Sequence, residues 1–410
     1  MIVLNNKIVA VAIVAVVAIA AVGVYFVLNN DDDSEMNVIG RVNTDGSGIF
    51  VVPGTEGADK MAKIVNTVEE PSEPHFGVSG KWIVFDKEAW GGKIITTPGP
   101  ATIQHVQLKQ IADTMGLKFV QYQNGTTVSN DTLYFHPGVG NYAKFKSEAL
   151  NLNLSGGIMW EPQFSIAQID GGCLPVATTN DLFPGHTCCV MASSHAYTSS
   201  HEDETVRFLA AYIKSVDLMT AAIEAGSGAE YEKVFEVARD KVSMTGLTVE
   251  QKNEAIKDAF NLVVYKYADD VNADDPLAQL KKDMADVANK MYESKQVGKT
   301  ISDLGMTEES FGNAVVDSSF MKKALTYEKK DSYNTAKIDV AIIDGDIHQL
   351  AIHYGIALGI FAEYGIDIEL SGQAGGPQVF TAIYSGDSQF GFIGAPPFTI
   401  NSINQGTISA

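Results

Sequence analysis

KIDVAIIDGDIHQLAIHYGIALGIFAEYGIDIELSGQAGGPQVFTAIYSGDSQFGFIGAPP, residues 337–397, decides how this chain is read. The apolar run Asp339–Ile343 predicts a strand. A Gly/His turn, DGDIHQ, comes next and leads into a helical pattern. A second strand, a Gly-rich turn (SGQAGGPQ), a second helix and a third strand at Gln389–Ile393 complete the unit, which ends in GAPP. Strands that alternate with helices of this length build a parallel sheet, because parallel neighbours need a crossover connection.

The same alternation recurs upstream. Lys93–Thr97 reads as a buried strand, and TPGPATIQ opens a helix in which Ile103, Val106, Ile111 and Met115 fall at helical spacing. Phe119–Tyr122 predicts a strand. FHPGVGNYAKFKSEALNLN predicts a turn and a helix, GGIMWEP a strand and a turn, QFSIAQIDGG a short helix, and LPVATT another strand. Val38–Val52 reads as strand–turn–strand with TDGSG as the turn. Gly54–Ala89 predicts loop with one short helix at Ala58–Val68. His201–Ala225, Ala229–Tyr267 and Pro276–Ser294 are helical in pattern, and Thr307 is placed as an N-cap before Glu308 and Glu309.

In its element order and its turns, the stretch from Lys337 resembles the opening segment of solute-binding proteins of ABC importers, in the nitrate/sulfonate/taurine and thiamine-precursor group. In that family the opening is continued by segments similar to VIGRVNTDGSGIFVV and GKIITTPGPATIQ, which stand here near the other end, at Val38–Val52 and Gly92–Gln104. VDSSFMKKAL (Val316–Leu325) resembles the family's closing helices and sits just before Lys337. The resemblance implies an α/β, two-lobed periplasmic-binding-protein-like (type II) fold in circularly permuted order, with a truncated tandem, one protein lacking its start followed by one lacking its end, as the rival organisation. The family's termini would be joined near Thr326–Ala336, and new ends opened between Ala410 and Asn37. One lobe is expected from residues 37–92 and 185–410, and the other from 93–184. Ala410 and Asn37 are then expected close together, with the first strand in the same sheet as Gln389–Ile393.

Composition bounds this reading. The 410 residues carry 29 Lys and Arg against 50 Asp and Glu, a net charge of −21, which disfavours nucleic acid as a partner. Ile8–Leu28 is an unbroken apolar run, long enough to cross a bilayer at about 1.5 Å per residue. With Lys7 before it and Asp31–Asp33 after it, residues 1–30 are expected to anchor the chain at the cell membrane with the bulk outside. Ala18-Ile-Ala20 leaves a cleaved signal peptide as the alternative. Three cysteines, Cys173, Cys188 and Cys189, are too few for a disulfide framework.

Ligands of open α/β sheets sit beyond the carboxyl ends of strands, against helix N-termini. That rule, with the resemblance, places Asp346, His348, Gly376, Pro397 and Ser47 on one wall of a ligand site, and Thr102, Gln104, Trp160 and Glu161 on the other. His348, near a helix start, is expected to be neutral. His186 and the Cys188–Cys189 pair fall at a crossover between lobes, in PGHTCCV. The thiols are open to burial, ligand contact or metal, with adjacent side chains on a strand facing opposite ways. No structural metal, catalytic residue or cofactor is expected. The resemblance implies capture of a small polar or anionic solute outside the cell and delivery to an ABC permease and ATPase. A thiamine-pyrimidine synthase-like enzyme and a membrane-tethered sensor ectodomain are the alternatives.

Overall fold

The computed structural model describes residues 35–408. Residues 1–30, with the expected anchor, lie outside them. Among the described residues no helix is long and apolar enough to cross a membrane.

The strands, in chain order, are β1 (Met36–Asp45), β2 (Ser47–Val51), β3 (Ala62–Val65), β4 (His75–Val78), β5 (Lys81–Phe85), β6 (Ile94–Thr96), β7 (Lys118–Gln121) and β8 (Thr132–His136). They continue with β9 (Gly156–Trp160), β10 (Leu174–Thr178), β11 (Thr187–Ser194), β12 (Val263–Tyr265), β13 (Ala336–Ile343), β14 (Ile366–Gln373) and β15 (Phe390–Gly394). They form two six-stranded sheets, ordered β12-β1-β11-β15-β13-β14 and β10-β2-β9-β6-β8-β7, and a small sheet β3-β5-β4.

The stretch from Lys337 folds as read. β13 pairs in parallel with β14 along its whole length and with β15 at Val340 and Ala341. β11 enters antiparallel between β15 and β1. β1 and β15 therefore share a sheet, and the Met36 amide donates to the Thr407 carbonyl at 3.1 Å. The segment between Thr326 and Thr335 carries no helix or strand.

Val38–Val52 is not a hairpin. β1 pairs with β11 and β12 in the first sheet, and β2 pairs with β9 and β10 in the second. One residue, Gly46, separates them, at φ 89° after Asp45 at φ 63°. These left-handed angles turn the chain out of one sheet and into the other. The return path, from β10 through residues 179–186 to β11, runs alongside. Asp45 N–H donates to the His186 carbonyl at 3.1 Å, and the Asp45 carboxylate accepts from Gly185 N–H at 2.9 Å. Ser47 and Thr179 exchange two hydrogen bonds.

The boundary between lobes thus lies at Gly46, not at residue 92. Residues 47–92 belong with the second sheet: Met61, Ile83, Phe85 and Trp90 share a core with Ile49, Val51, Ile95, Leu108 and Ile158. The expected loop and helix at 54–89 is a 3₁₀ turn at Ala58–Lys60 and then the antiparallel strands β3, β4 and β5. β8 has no counterpart among the expected strands, because its last residues, Phe135 and His136, open the expected turn. Residues 229–267 divide into helices Ala229–Lys241 and Val249–Leu262, with β12 after them.

Arg41, on β1, is 1% exposed and bonds the carboxylates of Asp269 and Asp283 and the Thr187 hydroxyl. A buried guanidinium needs such partners, since desolvating a lone charge costs several kcal/mol. The cluster ties the helical region after β12 to the first sheet.

Candidate functional site

A cavity of about 380 Å³ opens between the two large sheets. Its walls come from turns at the carboxyl ends of strands, where a helix begins and the first amides lack intrahelical partners. After β6, Pro98–Thr102 lead into the helix Ile103–Thr114, with the Thr102 hydroxyl as N-cap. After β13, Asp346 caps a short turn bearing His348. After β14, Ala374–Gln378 open the helix Gly376–Tyr384, and after β15, Pro396 and Pro397 open the helix Ala395–Gln405. Trp160, at the end of β9, and Cys188 and Cys189, on β11, complete the lining. The walls are largely proline, indole and aliphatic surface with few polar groups, which is the usual make-up of a small-molecule pocket.

Seven of the ten expected residues line this cavity: Asp346, His348, Gly376, Pro397, Thr102, Gln104 and Trp160. Three stand behind it. Ser47 is fully buried, and its hydroxyl accepts from Gln104 Nε2 at 2.9 Å, so it orients a lining residue. Glu161 is also fully buried. Its carboxylate accepts from the Ser165 amide and hydroxyl, capping the start of the helix Gln163–Ile169, and burial raises its pKa to about 7. His186 lies in the return crossover, with Nδ1 2.9 Å from the Phe183 carbonyl and 3.3 Å from Asp45. The turn HPGVG lies behind Trp160: a Cβ on Gly140 would come within 2.9 Å of the indole.

His348 is 1% exposed, and both of its ring nitrogens face acceptors. Nδ1 lies 2.7 Å from Asp346 and Nε2 3.3 Å from the Gly46 carbonyl. The expectation of a neutral ring is overturned. Burial opposes the charge, but Asp346, Cys188 and Glu161 together raise the pKa to about 9. His348 lies in a 3₁₀ turn that runs into the helix Leu350–Ala357, and the dipole there is outweighed by a carboxylate in direct contact. The Gly46 carbonyl also accepts from the Glu161 amide at 2.9 Å. A cavity-wall residue of one sheet and a backbone group of the other therefore meet on the crossover peptide.

The two cysteines do not face opposite ways. Asn43 pairs with Cys189 and Thr44 with Thr187, so Cys188 is an extra residue in the ladder. Such a bulge turns neighbouring side chains to one side, and the two sulfurs lie 3.8 Å apart. The contact with Cys189 lowers the Cys188 pKa to about 6, against the effect of burial, while the same contact raises that of Cys189. Nothing in the residue types signals a bulge, so strand alternation alone predicts opposite faces. Among the described residues no three or more His, Cys, Asp and Glu side chains are grouped to hold a metal ion.

No protein-family model matches the chain, and no curated protein matches it. Among solved structures, it is similar to the ligand-binding component of an ABC-type import system from Staphylococcus aureus with zinc bound. That match has a TM-score of 0.40 and 9% identity, over 71% of this chain and 75% of that one. A second is the periplasmic nitrate-binding protein NrtA from Synechocystis PCC 6803, with a TM-score of 0.45 and 12% identity, over 70% of this chain and 66% of that one. Likeness at this level assigns no ligand and no residue role.

Proposed function

We propose that this chain is a solute receptor of an ABC importer, which captures a small polar or anionic solute between its two lobes. The observation that carries the reading is the cavity, lined from both large sheets. The two sheets are joined by adjacent crossovers at Gly46 and at residues 179–186. Closure about such a pair of connections would trap a solute and release it when the lobes part. The sequence resemblance supports the importer context and the circularly permuted order, and the meeting of Met36 with Thr407 supports that order too. A permease and an ATPase are the partners implied. Anchoring at the outer face of the membrane rests on Ile8–Leu28. The reading requires no catalytic step.

The test is a thermal-shift screen of the full-length chain in detergent against nitrate, alkyl sulfonates, taurine and pyrimidine metabolites, since ligand bound to the native state raises its melting temperature. A saturable shift from one member is expected. Trp160→Ala should then weaken that ligand about 10- to 100-fold by removing one flat apolar wall, with the fold intact. No shift across the panel, or undiminished affinity in the Trp160 variant, would count against the solute class or the site respectively.

A further inference from the structure

Cys188 and Cys189 form a second kind of feature on the cavity wall. The bulge in β11 brings both thiols to the same side, 3.8 Å apart, beside Asp346 and His348. Nothing in the proposed capture of a polar solute uses them. We propose that the pair is a chelating site for a trivalent thiophilic metalloid, of which arsenous acid is the simplest form, held in the cavity.

The spacing separates this from two other roles. A disulfide needs sulfurs about 2.05 Å apart and Cα atoms at least about 4.4 Å apart, whereas adjacent residues across a trans peptide are held at about 3.8 Å. Direct bonding of the two sulfurs is therefore disfavoured. Bridging through a third atom is not: two bonds of about 2.3 Å, typical of a thiolate on a soft centre, span about 3.4 Å at the roughly 95° angle of a pyramidal three-coordinate centre, close to the 3.8 Å between the sulfurs. A four-coordinate divalent ion would need further protein donors, and among the described residues no group of three is arranged for one. A three-coordinate centre needs only the two sulfurs and one oxygen that it brings with it.

The chemistry balances without an oxidant. Two arsenic–oxygen bonds of the trihydroxide break and two arsenic–sulfur bonds form. The Cys189 thiol gives its proton to one departing hydroxyl and the solvent protonates the one displaced by the Cys188 thiolate, so two waters are released. Arsenic stays trivalent, and its remaining hydroxyl points into the cavity.

This inference rests on the reading of the cavity as open to solutes, and the probe, arsenite, is read apart from the transport panel. The full-length chain, reduced with a phosphine and shown by thiol titration to carry three free thiols, is dialysed against arsenite and the bound arsenic is measured. One equivalent per chain is expected. Cys188→Ser and Cys189→Ser should each weaken uptake about 100-fold or more, because a single thiol loses the chelate advantage. Cys173→Ser should bind like the parent: that thiol is buried against the Tyr142 hydroxyl, 3.9 Å away. Cys188→Ala serves as a second variant, and the melting temperature of each reports folding. Absence of uptake by the folded parent, or uptake retained in either single variant, overturns the proposal. A positive transport panel beside a negative arsenite result would leave solute capture standing and remove only the dithiol site.

Discussion

His348 keeps its proton because nearby negative groups outweigh burial. An unfolded histidine releases its proton near 6.5, and this one does so near 9. Its contribution to stability is therefore complete below 6.5 and lost as the pH rises to about 9. Cys188 runs the other way. Its thiol ionises near 6 in the fold instead of 9, so its contribution is gained across much of the same interval and lost as the pH falls through 6. Each slope is at most about 1.4 kcal/mol per pH unit, and in the parent the two oppose. Of the other groups around this pair, Cys189 and Tyr265 are held above their ordinary values, while Glu161 titrates near 7, at the lower end of the interval, in the parent and in both variants alike. Between pH 7 and 9, Cys188→Ser should melt at falling temperature, and His348→Gln at rising temperature, while the parent stays nearly flat. A flat profile for Cys188→Ser would mean that His348 is not the buried cation.

At the scale of elements, Gly46 is a position where a substitution should be felt at the crossover. A Cβ there would lie 2.6 Å from His348 Nε2 and 2.8 Å from Val263, in a left-handed conformation. Gly54 has a similar φ of 84° but open space around it. Gly54→Ala should cost about 1 kcal/mol, from backbone strain alone. Gly46→Ala should cost distinctly more, and urea midpoints for the two variants decide it. Equal midpoints would show that the crossover yields freely. The same residues explain what the sequence could convey. Strands punctuated by Gly/Pro turns and leading into periodic helices, such as Ile94–Thr96 or Phe390–Gly394, were legible because local pattern and tertiary role agree. TDGSG carries the local signature of a hairpin, yet its strands pair with segments more than a hundred residues away. β3 to β5 are short and interrupted by an acidic, proline-containing stretch, and β8 abuts a turn, so neither shows a usable period. The site was legible as a set of turns. Which of its residues face the cavity, and which stand one layer behind as Ser47 and Glu161 do, depends on packing that no local pattern encodes.

At the scale of the molecule, the reading as a tethered receptor has a direct test. In its native cell, the chain should be recovered in the membrane fraction with Ile8–Leu28 intact, as judged by the N-terminus of the mature protein. Tethering would hold the binding domain at high effective concentration near its permease. A soluble form beginning after about Ala20 would instead identify a cleaved signal, and would leave solute capture untouched. The segment between Thr326 and Thr335, which carries no regular structure, has a practical consequence. A cut there would yield two fragments whose main ladder in common is β11 against β15. One fragment would carry Pro98–Gln104, Trp160 and the cysteines; the other would carry Asp346, His348 and the two proline-capped helix starts. Neither half encloses a cavity by itself. Expressed as separate chains, the halves would form a split receptor in which binding reports reassembly and a captured solute acts as the glue between them.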